Sequence, residues 1–154
     1  MNITCRLARV DERDTLEALQ RRASLKDEFY REQLLSLPGA LELPSGFIEQ
    51  GLVIVAEDSD RPLGFAVVLF PSAGRSELEG LFVDPPYWRQ GVGTLLIGAT
   101  LAHAKAAGAR HIDVVASPTA REFYECCGFY ITGEARTTFG PALAMTRSVN
   151  TTED

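Results

Sequence analysis

Two consecutive prolines, Pro85 and Pro86, stand between a segment with a two-residue period and one with a helical period, and they restrict this chain's folding more than any other feature. From Glu77 to Val83, the residues Glu77, Glu79, Leu81 and Val83 alternate with Leu78, Gly80 and Phe82, the pattern of a strand. Proline has no N–H for a sheet ladder, so the strand stops at about Val83. From Thr94 onward, Leu95, Leu96, Ala99, Ala102 and Ala106 follow the spacing of one helical face, with Gly91 and Gly93 at its mouth. The first turn of a helix has N–H groups without internal partners and carries the positive end of the macrodipole. A strand, a glycine turn and a helix in succession therefore offer a seat for a phosphate or pyrophosphate. Arg89 adds a planar cation, and Gln90 and Thr94 add donors. A tight turn made for its own sake is the competing reading of the glycine pair.

Two phosphate motifs fail against this stretch. A nucleoside-triphosphate loop needs a lysine and a hydroxyl after its second glycine, and Thr94 follows Gly93 directly. A dinucleotide fingerprint needs a third glycine or alanine where Leu96 stands and an acidic residue closing the next strand, whereas His111–Ala116 runs into Ser117-Pro118.

The blocks L-E-G-L-F-V-D-P, then Y-W-R-Q-G-V-G-T-L-L, and Ala120-Arg121-Glu122-Phe123-Tyr124-Glu125-Cys126-Cys127-Gly128-Phe129, with their order and spacing, resemble the acetyl-CoA-binding core of the GNAT superfamily of N-acetyltransferases over roughly residues 50 to 147. Trp88 stands where that family carries Gln or Arg three residues before the first glycine, and Ser117 stands where it often has Asn. The resemblance implies acetyl-CoA as co-substrate, with its pantetheine arm on the backbone at Phe82 and Val83. It puts the pyrophosphate at Arg89, Gln90, Gly91, Val92, Gly93 and Thr94, and a further cofactor contact at Ser117. It also implies direct attack of an amine on the thioester, and matches Tyr124 to the family's thiolate-protonating tyrosine.

Read for themselves, these residues meet the chemical needs of such a transfer. The amine must lose a proton, the carbonyl oxygen must be stabilised, and the departing thiolate needs a proton. A phenol with pKa near 10 is a reasonable donor, although a tyrosine at helical spacing can equally be a surface-tipped aromatic. Glu77 and Glu79 share one face of the central strand and are the base candidates; Glu79, nearer its cofactor end, is the choice, acting through water. His103, on the cofactor helix, and His111, at the entry end of its strand, read as structural or exposed by their positions, and Cys126 and Cys127 fall with them, since the sequence puts no base next to either. Three cysteines, two adjacent, form no disulfide framework, and no ligand spacing suggests a metal.

Length and charge fit this picture. The 154 residues suit one domain over 1–149 with a frayed tail over 150–154. A net charge of -6 and no basic stripe argue against a nucleic-acid partner. No apolar run is long enough for a membrane span, and Met1–Arg6 lacks a signal-peptide layout, so the expected location is cytoplasmic. The partner is then a small-molecule or peptide amine, with homodimerisation left open. An acyl-CoA-binding module without turnover is the other class in play.

Strands are expected at Ile3–Leu7, Leu52–Glu57, Leu63–Phe70, Glu77–Val83, His111–Ala116, Phe129–Gly133 and Leu143–Ser148. Helices are expected from an Asp11 cap to Ala23, over Lys26–Ser36, from Thr94, and from Ser117-Pro118 to Gly128, begun by Pro118 or by a Thr119/Glu122 capping box. This is an α+β fold with a single mixed, mostly antiparallel sheet flanked by helices. The apolar stretch Leu41–Ile48 and the loop at Thr138–Pro141 are candidates for the acceptor side, with Phe47, Ile48 and Phe139 as walls or as cover for the core, and Glu49 or Glu28 as helpers to Glu79.

Overall fold

A computed structural model describes residues 2–26 and 31–150. Strands β1 (Ile3–Leu7), β2 (Val53–Asp58), β3 (Arg61–Ser72), β4 (Arg75–Val83), β5 (His111–Ala116), β6 (Tyr130–Thr137) and β7 (Gly140–Ser148) form one sheet in the order β1-β2-β3-β4-β5-β7-β6. Helices α1 (Arg13–Lys26), α2 (Arg31–Ser36), α3 (Ser45–Glu49), α4 (Val92–Ala106) and α5 (Arg121–Cys126) flank it. The β1·β2, β2·β3, β5·β7 and β6·β7 ladders are antiparallel and β4·β5 is parallel, as expected for a strand-helix-strand unit. Most expected endpoints shift by one to three residues, the helix expected over Lys26–Ser36 is described over Arg31–Ser36 with 27–30 outside the described residues, and the closing hairpin changes most: β6 continues past Gly133 to Thr137, and β7 begins at Gly140 rather than Leu143. The reason is that Glu134 and Arg136 are exposed while Ala135 and Thr137 are half-buried, a period-2 strand whose outer face is polar enough to pass for a loop. Residues 151–154 of the expected tail lie outside the described residues.

Contacts gather into two units, Met1–Val67 with Gly80–Leu96 and Val68–Glu79 with Ile97–Asp154. In the first, α1 buries Leu16, Leu19, Gln20 and Ala23 at helical spacing. Asp11 does not cap this helix. Glu12 reaches back instead, its Oε1 accepting the Arg9 N–H at 2.8 Å, and a short 3-10 turn precedes α1. β2 is buried at four consecutive residues, Val53–Ala56, and β3 from Leu63 through Val67, so both faces of each are covered. Leu41, Leu43 and Ile48 are also buried, which makes most of the apolar stretch part of this unit's own core rather than an open wall.

The same Glu12 carboxylate accepts from Arg6 Nη1 at 2.9 Å and Nη2 at 2.6 Å, and Arg6 Nη2 also donates to Glu57 at 2.9 Å, tying β1, β2 and the turn before α1. The bond from Arg6, and after it the Arg9 N–H, holds the Glu12 carboxyl below its ordinary pKa despite burial. Such a group stabilises the fold above its unfolded pKa, and that contribution fades as pH falls through the lower folded value. Glu12→Gln is expected to lose on the order of 1–3 kcal/mol at pH 7 in chemical denaturation, and much less at pH ~3. An equal loss at both pH values would show that packing, not the charge, matters here.

In the second unit, β4 and β5 pair from Arg75↔His111 to Leu78↔Val114. Arg75 holds Asp113 in a two-pronged pair at 2.7 and 3.0 Å, and Ser76 Oγ donates to the His111 carbonyl at 2.9 Å. Ile112, Val114 and Ala116 alternate into the core, and α4 adds Ile97, Thr100, Leu101 and Ala104. Both helices of this unit end as the glycines foretell: Gly108 (φ 94°) and Gly128 (φ 92°) take the left-handed conformation. The next residues, Ala109 and Phe129, donate back to the Ala104 and Tyr124 carbonyls at 3.0 Å each.

Candidate active site

The first unit carries the end of β4 and the turn into α4. Asp84 N–H donates to the Leu63 carbonyl of β3 at 2.9 Å, so the Asp84 amide points toward β3. Because the peptide is planar and trans, the Val83 carbonyl points the other way, to the edge of β4 facing away from β3. Side alternation then puts the main-chain groups of Glu79 and Leu81 on that same edge. Among the described residues the β4·β5 ladder stops at Leu78↔Val114, although β4 runs on to Val83 and β5 to Ala116.

A single 3-10 turn, Pro85–Tyr87, follows Asp84, with Tyr87 N–H donating to Asp84 O at 2.8 Å. Arg22 of α1 clamps the Asp84 carboxylate with Nε and Nη2, both at 2.9 Å. Arg89 then adopts φ 65° and Gly91 φ 84°, so the turn uses two left-handed residues, one of them carrying a side chain. A left-handed non-glycine residue costs about 1 kcal/mol, a strain the surrounding structure must hold. Helix α4 starts at Val92, two residues before the expected Thr94, with Leu95 N–H donating to the Gly91 carbonyl at 3.1 Å as its first turn closes. Gly93 is inside that first turn and has no positive φ, so only Gly91 of the pair is demanded by backbone shape. The N–H groups of Val92, Gly93 and Thr94 are those a helix leaves without internal acceptors. Arg89 and Thr94 are exposed, Arg89 makes no ion pair among the described residues, and Gln90 rests on the Pro86 carbonyl at 3.3 Å. Six residues singled out from sequence, Arg89 to Thr94, thus fall on one turn with open helix-terminal N–H groups, with Phe82 and Val83 on the strand beside it.

Trp88 was not among them. Its indole N–H donates to the Val83 carbonyl, folding the turn back onto the strand end. No sequence signal marks this bond, since it depends on the chain doubling back over five residues. Arg22 was equally hidden, 62 positions from its partner.

In the second unit, Tyr124 lies on α5 and is 7% exposed. Its ring meets Phe123 and Phe129 edge-on, with centroids 5.1 and 5.4 Å away. No hydrogen bond to its hydroxyl occurs among the described residues. Burial, and after it the neighbouring Cys127, pushes the phenol pKa well above its ordinary value, so it stays protonated across physiological pH. The Thr119/Glu122 capping box does not form: a 3-10 turn over Pro118–Ala120 leads into α5, and Ala120 occupies the cap position. Ser117 Oγ instead lies 2.9 Å from the Thr119 hydroxyl.

Glu79 and Glu77 share one face of β4, Glu77 half-buried and Glu79 exposed. Desolvation by the surrounding chain, then the like charge of Glu77, raises the Glu79 carboxyl pKa; its open face limits the first cause. His103 packs against Phe70 with ring centroids 6.2 Å apart, and His111 sits in the β5 ladder. Cys5 donates weakly to the Leu95 carbonyl at 4.0 Å, and burial raises its thiol pKa; Cys126 is exposed. No group of three or more His, Cys, Asp or Glu among the described residues is placed to hold a metal ion. Phe47 and Phe139 are half-buried, Glu49 is exposed, and Glu28 lies outside the described residues.

The family model for the acetyltransferase (GNAT) family matches residues 15–129. Among solved structures, the chain is similar to the PaiA N-acetyltransferase of Thermoplasma acidophilum in complex with coenzyme A. The TM-score there is 0.81, at 18% identity, over 96% of this chain and 99% of that one. It is also similar to the ribosomal-protein-S18-alanine N-acetyltransferase of Escherichia coli, with TM-score 0.72 and 17% identity over 99% and 97% of the two chains. An aminoglycoside 6'-N-acetyltransferase complexed with coenzyme A gives 0.71 and 19% identity, with each chain covered in full, 100% and 100%. At these identities the structures speak to the fold. No curated protein matches the chain in sequence, and no helix among the described residues is long and apolar enough to cross a membrane.

Proposed function

The chain belongs to the GNAT acetyltransferase family, and on that premise we propose that it moves the acetyl group of acetyl-CoA directly to a primary amine of a small molecule, amino acid, peptide or protein. The observation that carries this reading is the turn from Arg89 to Thr94: an arginine with no ion pair among the described residues and helix-terminal N–H groups without internal acceptors, next to a strand edge that runs on beyond the β4·β5 ladder. That set fits a pyrophosphate followed by an amide chain, because anions take the N–H groups and an extended polyamide pairs with a strand edge. When bound, acetyl-CoA supplies an activated thioester. Arg89 and the α4 N-terminus hold its charge, and Val83 and Leu81 offer main-chain partners that fix the arm.

Tyr124, neutral and with no partner for its hydroxyl among the described residues, donates a proton or hydrogen bond to the departing sulfur. A phenol so weakly acidic serves better as a hydrogen-bond donor to the thiolate than as a full acid before the sulfur arrives. Glu79, through water, takes the proton of the incoming ammonium. Its raised pKa moves it toward the range where a carboxylate accepts protons effectively near neutrality. Relatives of this fold act, by their names, on an alanine of ribosomal protein S18 and on an aminoglycoside 6' amine, so the fold leaves the acceptor's class open.

Thiol release is the test. With acetyl-CoA and a panel of primary amines, amino acids and peptides, free thiol should appear above background for at least one class. For that acceptor, kcat/KM should fall as pH drops through a pKa above the ordinary glutamate range. Glu79→Gln should lower it by roughly 10- to 100-fold and remove that limb. Coenzyme A binding without thiol release for any amine would make the protein a binding module instead. An acid limb unchanged in Glu79→Gln would move the base to Glu77 or to water alone.

A further inference from the structure

The Val83 carbonyl already has a donor. Its oxygen is on the β4 edge that faces away from β3, as the Asp84 N–H to Leu63 bond requires, and the Trp88 indole N–H holds it there. Trp88 itself is 39% exposed, so this bond is made at the surface, where a ligand can reach it. Resting on the acyl-donor reading above, we infer that Trp88 is a latch on the strand end: its indole takes the place of an amide of the donor's arm, and the arm enters by displacing it.

Three features of the first unit support this. The edge carries main-chain groups at Leu81 and Val83 beyond the end of the β4·β5 ladder, which suit an extended chain of amides. Val83 is the last of these and the nearest in sequence to the pyrophosphate turn, so an arm leaving that turn meets this carbonyl first. A carbonyl oxygen has two lone pairs, and two donors are chemically allowed. The bulk of the ring decides, since a donor atom at hydrogen-bond distance puts the indole body on the same edge. The hinge for its release is close by: Arg89, the next residue, has the strained left-handed φ of 65°, and Gly91 follows at 84°. Swinging Trp88 away requires no change in β4 itself, whose end is pinned by the Arg22–Asp84 clamp.

Trp88 is the chain's single tryptophan, so its indole N–H gives one resonance in a nitrogen-15 spectrum. In the free protein that resonance should be shifted downfield and protected from solvent exchange. Coenzyme A, and acetyl-pantetheine alone, should move it upfield and strip the protection; 3'-phosphoadenosine 5'-diphosphate, which lacks the arm, should leave it protected. Trp88→Phe keeps an aromatic ring but removes the competing donor, and should tighten coenzyme A binding in calorimetry by about 2- to 10-fold. Coenzyme A binding normally with the indole still protected would overturn the latch alone. Weaker binding by Trp88→Phe would overturn it too, making the ring a contact of the ligand. No heat with coenzyme A in either protein would remove the acyl-donor reading and the latch together.

Discussion

Gly93→Glu will fold and melt like the parent, or slightly above it, while its affinity for coenzyme A drops by more than about 100-fold. The two halves of this result come from the same position in α4. Gly93 is in the first helical turn and has no positive φ, so a side chain meets no backbone penalty there. Glutamate is a better helix former than glycine by close to 1 kcal/mol, and a carboxylate near a helix N-terminus gains a further 0.3–1 kcal/mol from the macrodipole. That same carboxylate occupies the place of the pyrophosphate and repels it. At about 4 Å, two like charges at a protein surface cost several kcal/mol, and 2.7 kcal/mol is already about 100-fold in affinity. Thermal denaturation and calorimetry on one preparation read both halves. A stable Gly93→Glu protein that binds coenzyme A within threefold of the parent would move the pyrophosphate off this turn. Gly91 would be a poor site for the experiment, because its φ of 84° makes any side chain a folding lesion as well.

The second large effect belongs to Tyr124→Phe. The ring is buried between Phe123 and Phe129, and phenylalanine preserves both edge-on contacts. The hydroxyl has no protein partner among the described residues, so its removal leaves no buried group orphaned and should cost little stability. What is lost is a donor kept protonated by burial. Turnover should fall roughly 10- to 1000-fold, with the coenzyme A dissociation constant changed by less than about threefold. That split separates chemistry from binding. Unchanged kcat would assign protonation of the thiolate to water, and a parallel loss of cofactor affinity would make Tyr124 a wall of the cofactor's seat.

The β4-turn-α4 unit could be read from sequence because proline and glycine act through their own covalent geometry. Pro85 and Pro86 end the strand at Val83, and Gly91, Gly108 and Gly128 mark the positions where the chain takes a left-handed φ. The turn into α4 was therefore legible to within two residues, the error being the helix start at Val92. Alternation placed Glu77 and Glu79 on one face, but could not say which face is open; the exposure of Glu79 is set by what packs around the sheet. The apolar stretch from Leu41 left two readings open for the same reason, as hydrophobicity tells that a residue will be covered and not what it covers: Leu41, Leu43 and Ile48 are buried. Least legible were bonds between side chains and distant or folded-back partners. Glu12 serving as reverse cap in place of Asp11, Arg22 clamping Asp84, and Trp88 holding Val83 depend on tertiary closure, which has no period to betray it.

Gly64 on β3 has a different kind of importance. A Cβ there would come within 2.6 Å of the Phe82 carbonyl and 3.2 Å of Val83 Cα, both main-chain atoms that cannot turn aside as a side chain's end would. The strand end that carries Val83, the proposed partner of the donor's arm, is thus braced from behind by bare backbone. For anyone building libraries to re-cut the donor specificity of this protein, the map is one-sided: positions 88, 93 and 94 on the turn are open to diversification, whereas codon 64 should be held fixed, because variation there would be scored as lost function while reporting only a displaced strand.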